Sequence, residues 1–211
     1  MVGETYHIFS KGIAGFRVFS NNEEFLRMKT TIRYYQWAEP PIKFSRFIKM
    51  HGLPKDERIY FENTDKLVQI IAYCIMPTHL HFILKQLRED GISNFMGNML
   101  NSYTHYFNLK YSRKGPLWES RFKSILVKTN EQLLHLTRYV HLNPVTSYLV
   151  NSPDEWLASS YKEYIAMVDD KERFCNFDDI LEIRPDSYKE FVLDNTSYQR
   201  ELAKIKKLLF D

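Results

Sequence analysis

Two apolar runs joined by a short turn constrain the fold of this chain more than any other feature. Residues 67–75 form a nearly continuous apolar run, which is typical of a strand in the central part of a helix-covered sheet. In the second run, residues 79–84, the side chains alternate, so His79 and His81 share one face while apolar residues share the other. We therefore predict a hairpin that presents two imidazoles side by side, which is half of a metal site.

A helix further along the chain is predicted to complete this site. Asn130 is a good N-cap, leucines recur at helical spacing, and Pro144 is expected to stop the helix directly after Asn143. Tyr139 and Asn143 are four residues apart and therefore lie on one helix face. If that face covers the histidines, it adds an amide oxygen and a phenol to the two imidazoles.

Four motifs, in order along the chain, resemble the HUH-superfamily single-tyrosine transposases of bacterial insertion sequences, and among them the REP-associated tyrosine transposases. They are the first strand, the metal-binding signature, the Gly-x-Leu-Trp-x-x-Arg-Phe-Lys segment and the catalytic helix, at residues 6–12, 72–81, 115–124 and 138–144. The resemblance implies that His79 and His81 are metal ligands. It also makes Tyr139 the nucleophile and Asn143 the third ligand. Thr78 stands where the family most often has Asn or Asp, so a hydrogen bond from that side chain would be made differently here.

The activity that the resemblance implies is metal-dependent cleavage and rejoining of single-stranded, hairpin-forming DNA, which is DNA transposition. A tyrosine hydroxyl, with a pKa of about 10, is a poor nucleophile near neutral pH unless a cation assists it. A divalent metal, Mg²⁺ or Mn²⁺, would polarise the scissile phosphate for attack by Tyr139. We therefore predict a single-strand DNA endonuclease and strand transferase that works through a 5′-phosphotyrosine link and a free 3′-hydroxyl.

Basic charge is concentrated in one segment, although the net charge of the 211-residue chain is only +3. Residues 98–128 combine several Lys and Arg side chains with a single acid and many aromatic residues, as in proteins that bind single-stranded or hairpin DNA. The residues predicted to contact DNA are Arg113, Lys114, Trp118, Arg121 and Lys123. About half of the aromatic residues recur at helical spacing and are expected in the core, and Trp118 fits either role.

The order of predicted elements indicates an α+β fold, an antiparallel sheet with helices packed on one face, similar to ferredoxin-like and RNA-recognition folds. The HUH catalytic domain is predicted at residues 1–148, with a variable insert at about 37–65. A helical C-terminal extension follows at residues 149–211, with an amphipathic basic helix at 198–209. The chain lacks an apolar stretch long enough to span a membrane, and its two cysteines lack metal or disulfide spacing. We therefore expect a cytoplasmic, nucleoid-associated protein without a membrane partner. The sequence does not decide between a monomer and a homodimer.

Three other functions are considered. The first is a domesticated, non-transposing hairpin-DNA-binding protein or nickase on the same scaffold. Against it argue the four intact site residues, His79, His81, Tyr139 and Asn143. The second is an RNA-binding module, for which the chain lacks an aromatic-rich strand signature. The third is a metal hydrolase that uses water, in which Tyr139 would be dispensable.

Overall fold

The structure is a computed structural model that describes residues 1–52, 60–61, 64–169 and 172–194. Its elements are β1 Thr5–Lys11, a 3₁₀ turn Ile13–Gly15, α1 Asn22–Tyr35, α2 Phe44–His51, β2 Val68–Met76, β3 His79–Gln86, α3 Gly91–Lys110, β4 Lys123–Val127, α4 Asn130–Thr146, a 3₁₀ turn Pro153–Glu155, α5 Tyr161–Tyr164 and α6 Pro185–Leu193. The predicted hairpin is present as β2 and β3.

The four strands form one antiparallel sheet in the order β2-β3-β1-β4. The register places Phe9 of β1 on one side of His81 and Cys74 of β2 on the other. Lys123 of β4 lies opposite Phe9. Directly paired residues of an antiparallel sheet point to the same face, so these four side chains share one surface. The predicted antiparallel α+β fold is confirmed.

Helices cover both faces of this sheet. Strand β2 is buried along its whole length, which explains its continuous apolar sequence. On one face α3 packs as expected, and the ring centres of Phe95 and Phe82 are 6.0 Å apart. On the opposite face α4 lies over β3, where the ring centres of Tyr139 and His81 are 5.7 Å apart. Helix α4 therefore adds a layer over the face that carries the histidines.

Helix α4 extends past the residue that the sequence predicts as its end. Pro144 lies inside the helix, which continues to Thr146. Proline lacks an N–H and so removes one helical hydrogen bond, but the Ser147 N–H donates to the Asn143 carbonyl and closes the last turn. Pro144 is buried, so tertiary packing overrides the local preference to end the helix. The N-cap also differs, because Thr129, one residue before the predicted cap, accepts the capping hydrogen bond.

The described part of the C-terminal region packs along the outer edge of β2. The Ile75 N–H donates to the Ala158 carbonyl at 2.8 Å, and the Trp156 indole donates to the Ile75 carbonyl at 3.1 Å. Helix α6 adds Tyr188 to the same hydrophobic core as the sheet. The predicted domain boundary stays a prediction, and the helix predicted at residues 198–209 lies outside the described residues.

The predicted insert contains α2, which forms a small second core. Phe44 and Phe47 of α2 pack there against Tyr34 and Phe61. None of the helices in the described ranges is long and apolar enough to cross a membrane. Both cysteines are free and buried.

Candidate active site

A cavity of about 580 Å³ opens on the histidine face of the sheet, where β1, β3 and α4 meet. It is lined by His7, Phe9, Lys11, Gly12, Gly15, Thr78, His79, His81, Glu119 and Tyr139. Its walls therefore combine imidazoles, a phenol, an ammonium group and a carboxylate. The fold thus brings three of the predicted site residues, His79, His81 and Tyr139, into one cavity.

The imidazoles of this cavity are hydrogen-bonded and neutral. Nδ1 of His79 is 2.9 Å from Oγ1 of Thr78. The threonine at this position is therefore hydrogen-bonded to a predicted metal ligand. Nδ1 of His81 is 3.1 Å from Nε2 of His7. Burial lowers the pKa of His7 and of His79 to about 4, and that of His81 well below its ordinary value. Neutral imidazole is the form that binds a metal, so the rings suit a cation at pH 7.

Tyr139 projects from α4 over these rings and remains 38% exposed. Its ring meets those of His81 and His7 edge-on, with ring centres 5.7 and 6.1 Å apart. Burial raises the pKa of Tyr139, and a hydrogen bond from the Asn143 side chain opposes that rise. The phenol therefore stays protonated near pH 7 and needs help from a cation or a base to act as a nucleophile.

Asn143 lies beside Tyr139 but does not line the cavity. It is 8% exposed, and its Nδ2 donates to the Tyr139 carbonyl at 3.0 Å. Within the described ranges, no three His, Cys, Asp or Glu side chains are arranged to hold a metal ion. A cation at His79 and His81 would therefore need oxygen ligands of another kind, such as the Asn143 amide or a substrate phosphate.

A buried hydrogen-bond network connects α4 to the C-terminal region. His141 is fully buried, with its Nδ1 2.7 Å from the Tyr188 hydroxyl and its Nε2 2.8 Å from Oγ of Ser160. The same Oγ accepts the backbone N–H of Tyr73 in β2 at 2.9 Å. Because His141 is two residues from Tyr139, this network ties the helix that carries Tyr139 to the sheet.

Comparisons with known proteins relate this chain to one group of proteins. Residues 57–143 match the family model described as transposase, IS200 like. The chain resembles the IS200-like transposases. It is 26% identical over 104 residues to a Haemophilus influenzae protein named as a REP-associated tyrosine transposase, a match that covers 44% of this chain and 58% of that protein. The chain thus spans under two thirds of the length of this relative.

A solved structure of a REP-associated tyrosine transposase bound to a REP hairpin superposes with a TM-score of 0.55. The superposition covers 83% of this chain and 88% of that one at 17% identity, which shows a shared fold. The segment that matches the IS200-like transposases contains His79, His81, Tyr139 and Asn143. The predicted resemblance is therefore confirmed on the segment that carries the site.

The basic residues predicted to contact DNA lie on different surfaces. Lys123 shares the histidine face of the sheet, with its Nζ 5.8 Å from the centre of the Phe9 ring, which lines the cavity. Arg121 lines a second cavity of about 520 Å³ beside α3. The Arg113 guanidinium donates to a carbonyl of its own loop at 2.6 Å, and Lys114 is exposed. Lys123 therefore lies beside a residue of the histidine cavity, whereas Arg121 lines a different cavity.

Trp118 packs in the core, one of the two roles that the sequence leaves open for it, and its contact with DNA stays a prediction. It is 9% exposed, and its indole N–H donates to Oγ1 of Thr104 at 3.0 Å. Its ring packs beside those of Phe19 and Tyr103, each with a centre 6.3 Å away. A ring covered by its neighbours offers little surface on which a base can stack. Core aromatics and stacking platforms have the same composition, so the sequence could not separate the two roles.

Three ionisable residues of the cavity were not predicted as site residues: His7, Lys11 and Glu119. The available signal for His7 is a polar side chain in an otherwise apolar strand, two residues before Phe9 and therefore on its face. Lys11 and Glu119 meet because the Glu119 N–H donates to the Lys11 carbonyl at 2.9 Å. Such a contact between distant segments leaves no local pattern in the sequence.

Proposed function

We propose that this protein is a metal-dependent strand transferase that cleaves and rejoins single-stranded, hairpin-bearing DNA through Tyr139, in DNA transposition. The observation that carries this proposal is that the Tyr139 phenol lies over the His81 ring in an open cavity that His79 also lines. A positioned side-chain hydroxyl beside a candidate metal site is the arrangement of groups that covalent phosphoryl transfer uses. The transposase of similar fold is bound to a REP hairpin, which supports a hairpin as the partner here.

His79 and His81 would hold the divalent cation, together with Asn143 and phosphate oxygens. The donors fit such a group, since neutral imidazoles and hard oxygens accept Mn²⁺ and, when phosphate completes the coordination, Mg²⁺. When bound, the cation would supply Lewis-acid polarisation of the scissile phosphate.

Tyr139 supplies the nucleophile in this proposal. Its hydroxyl oxygen forms a bond to phosphorus while the bond from phosphorus to the 3′-oxygen breaks. The phenol proton leaves to solvent or to a neutral imidazole, and the 3′-oxygen takes up a proton to become a free 3′-hydroxyl. The 5′-phosphotyrosine link keeps a phosphodiester bond, so another 3′-hydroxyl can reverse the step without ATP. We expect Lys123, on the same face of the sheet, to contact a phosphate of the bound strand.

Cleavage of hairpin oligonucleotides tests this proposal. Single strands copied from both flanks of the gene, labelled at the 3′ end, are incubated with protein and Mn²⁺ and separated on a denaturing gel. Wild-type protein should give a labelled covalent adduct that EDTA prevents. Tyr139→Phe should bind the hairpin but give neither cleavage nor adduct.

The matched control is Tyr148→Phe, which removes an exposed phenol just after α4 and should behave as wild type. Cleavage of the same strand by Tyr139→Phe would contradict the proposal, because only water would remain as the nucleophile. Cleavage that persists in EDTA would contradict its metal-dependent part.

A further inference from the structure

His7 of β1 lies directly against one of the proposed metal ligands. Its Nε2 is 3.1 Å from Nδ1 of His81, and the two rings are stacked with centres 5.4 Å apart and planes 13° apart. Both side chains are buried, at 8% and 6% exposed. The pairing of β1 with β3 sets this contact, because Phe9, two residues from His7, lies opposite His81. The ring of Tyr139 packs edge-on against both, which restricts their rotation.

Between two neutral imidazoles in this contact, one ring donates its N–H and the other accepts it. The direction of this hydrogen bond decides whether Nε2 of His81 can bind a cation. A neutral imidazole has one N–H and one nitrogen lone pair. If His7 donates, His81 accepts at Nδ1 and carries its own proton on Nε2, where it blocks metal binding. If His81 donates from Nδ1, its Nε2 keeps a lone pair that can bind a cation.

The neighbouring ligand has a parallel arrangement. Nδ1 of His79 is 2.9 Å from Oγ1 of Thr78, and this hydroxyl can accept the N–H of the ring. Both predicted ligands thus have Nδ1 engaged by a side chain from the protein, which leaves Nε2 as the atom for a cation on each ring. Hydrogen bonds of this kind to the second ring nitrogen fix the orientation and tautomer of metal-binding histidines in general.

We propose that His7 is a positioning residue, which accepts the Nδ1 proton of His81 and so holds its Nε2 free for the cation. This inference rests on the proposed metal role of His79 and His81. It gives a residue of β1 a role in orienting a metal ligand, although β1 lies outside the segment that matches the family model.

The tautomer of His81 in the metal-free protein is the first test. Long-range proton–nitrogen NMR at pH 7.5 shows which ring nitrogen carries the proton, and loss of signals in His81→Asn assigns them. Wild-type His81 should carry its proton on Nδ1. His7→Phe keeps an aromatic ring without the acceptor, so His81 should move to the Nε2–H form or to a mixture. His7→Gln offers an amide oxygen as acceptor and should restore the Nδ1–H form.

Binding of Mn²⁺, followed by calorimetry without DNA, is the second test. His7→Phe should lower the affinity by about 10- to 100-fold, the usual effect of losing such a hydrogen bond, and His7→Gln should recover most of it. The control is His105→Phe, which changes an exposed histidine of α3 and should bind as wild type. Unchanged affinity in His7→Phe, or an Nε2 proton on wild-type His81, would overturn the proposal.

The results of these tests distinguish failure of the inference about His7 from failure of the proposed function. The wild-type tautomer requires no substitution, so it decides the matter even if His7→Phe does not fold. If His81 carries its proton on Nδ1 and Mn²⁺ binding depends on His7, the inference holds whether or not the protein cleaves DNA. If Tyr139 forms its adduct equally well in His7→Phe at limiting Mn²⁺, the inference fails and the proposed function stands.

Discussion

Lowering the pH from 7.5 to 5 should destabilise the fold through His141. This side chain is fully buried, and its two ring nitrogens contact the Tyr188 hydroxyl and the Ser160 hydroxyl. Burial lowers its pKa to about 3 in the folded protein. In the unfolded chain the pKa returns to about 6.5, so between these values the unfolded state binds a proton that the folded state does not. Stability is therefore lost as the pH falls through 6.5.

The size of this effect follows from the two pKa values. At pH 5, which is about 1.5 units below the unfolded pKa, protonation favours the unfolded state by about 2 kcal/mol for this one residue. His7 and His79 have lowered pKa values as well, so wild-type protein should lose more in total. The contribution of His141 is isolated by His141→Gln, which removes the titrating ring and keeps one amide for hydrogen bonding. Its loss of stability between pH 7.5 and 5 should be smaller than that of wild type by about 2 kcal/mol.

Urea unfolding in EDTA, followed by circular dichroism at both pH values, measures this difference. At pH 7.5 we expect His141→Gln to be less stable by about 1–2 kcal/mol, since it loses a buried hydrogen bond. The control is Val140→Ala, a fully buried neighbour on the same helix, which should lower stability by about 2 kcal/mol at both pH values. If His141→Gln and wild type lose the same free energy between the two pH values, His141 is not a buried neutral group and the reasoning is wrong.

Three further predictions concern the metal ligands and the DNA contacts. His79→Ala should lower DNA cleavage by orders of magnitude, with at most partial recovery in excess Mn²⁺, and cleavage at the wild-type rate would reject its role as a ligand. Lys123→Ala or Arg121→Ala should weaken hairpin binding and reduce the log–log salt slope by about 0.7 for each lost contact, measured by fluorescence anisotropy. Arg113→Ala should have a smaller effect on hairpin binding, because this guanidinium already donates to a carbonyl of its own loop. Asn143→Asp should keep more Mn²⁺ affinity than Asn143→Leu, and equal affinity in calorimetry would reject an oxygen ligand at this position.

Periodicity predicts the sheet hairpin and α4 because both patterns are local. The continuous apolar run of β2 and the alternation after His79 reflect burial on both faces and on one face, respectively. The end of α4 is not predicted, since Pro144 is kept in the helix by packing that a local preference does not contain. The packing of Trp118 against Phe19 is not predicted for a similar reason, because these two residues are far apart in sequence.

The candidate site is predicted only in part from the sequence. The spacing of His79 and His81 and the motif around Tyr139 identify the residues that the fold brings into one cavity. The contact of His7 with His81 depends on the register between β1 and β3, which residues 12–78 separate along the chain. Register between distant strands is set by tertiary structure, so this part of the site becomes visible only in the fold.

Mass spectrometry of the covalent adduct is the most direct test of the central claim, which is that Tyr139 is the nucleophile. Wild-type protein that has cleaved a hairpin strand in Mn²⁺ is digested with nuclease and protease, and the modified peptide is sequenced. We expect a 5′-phosphonucleotide on Tyr139. Cleavage with the nucleotide on another residue, such as the exposed Tyr148, or cleavage without any adduct, would contradict it.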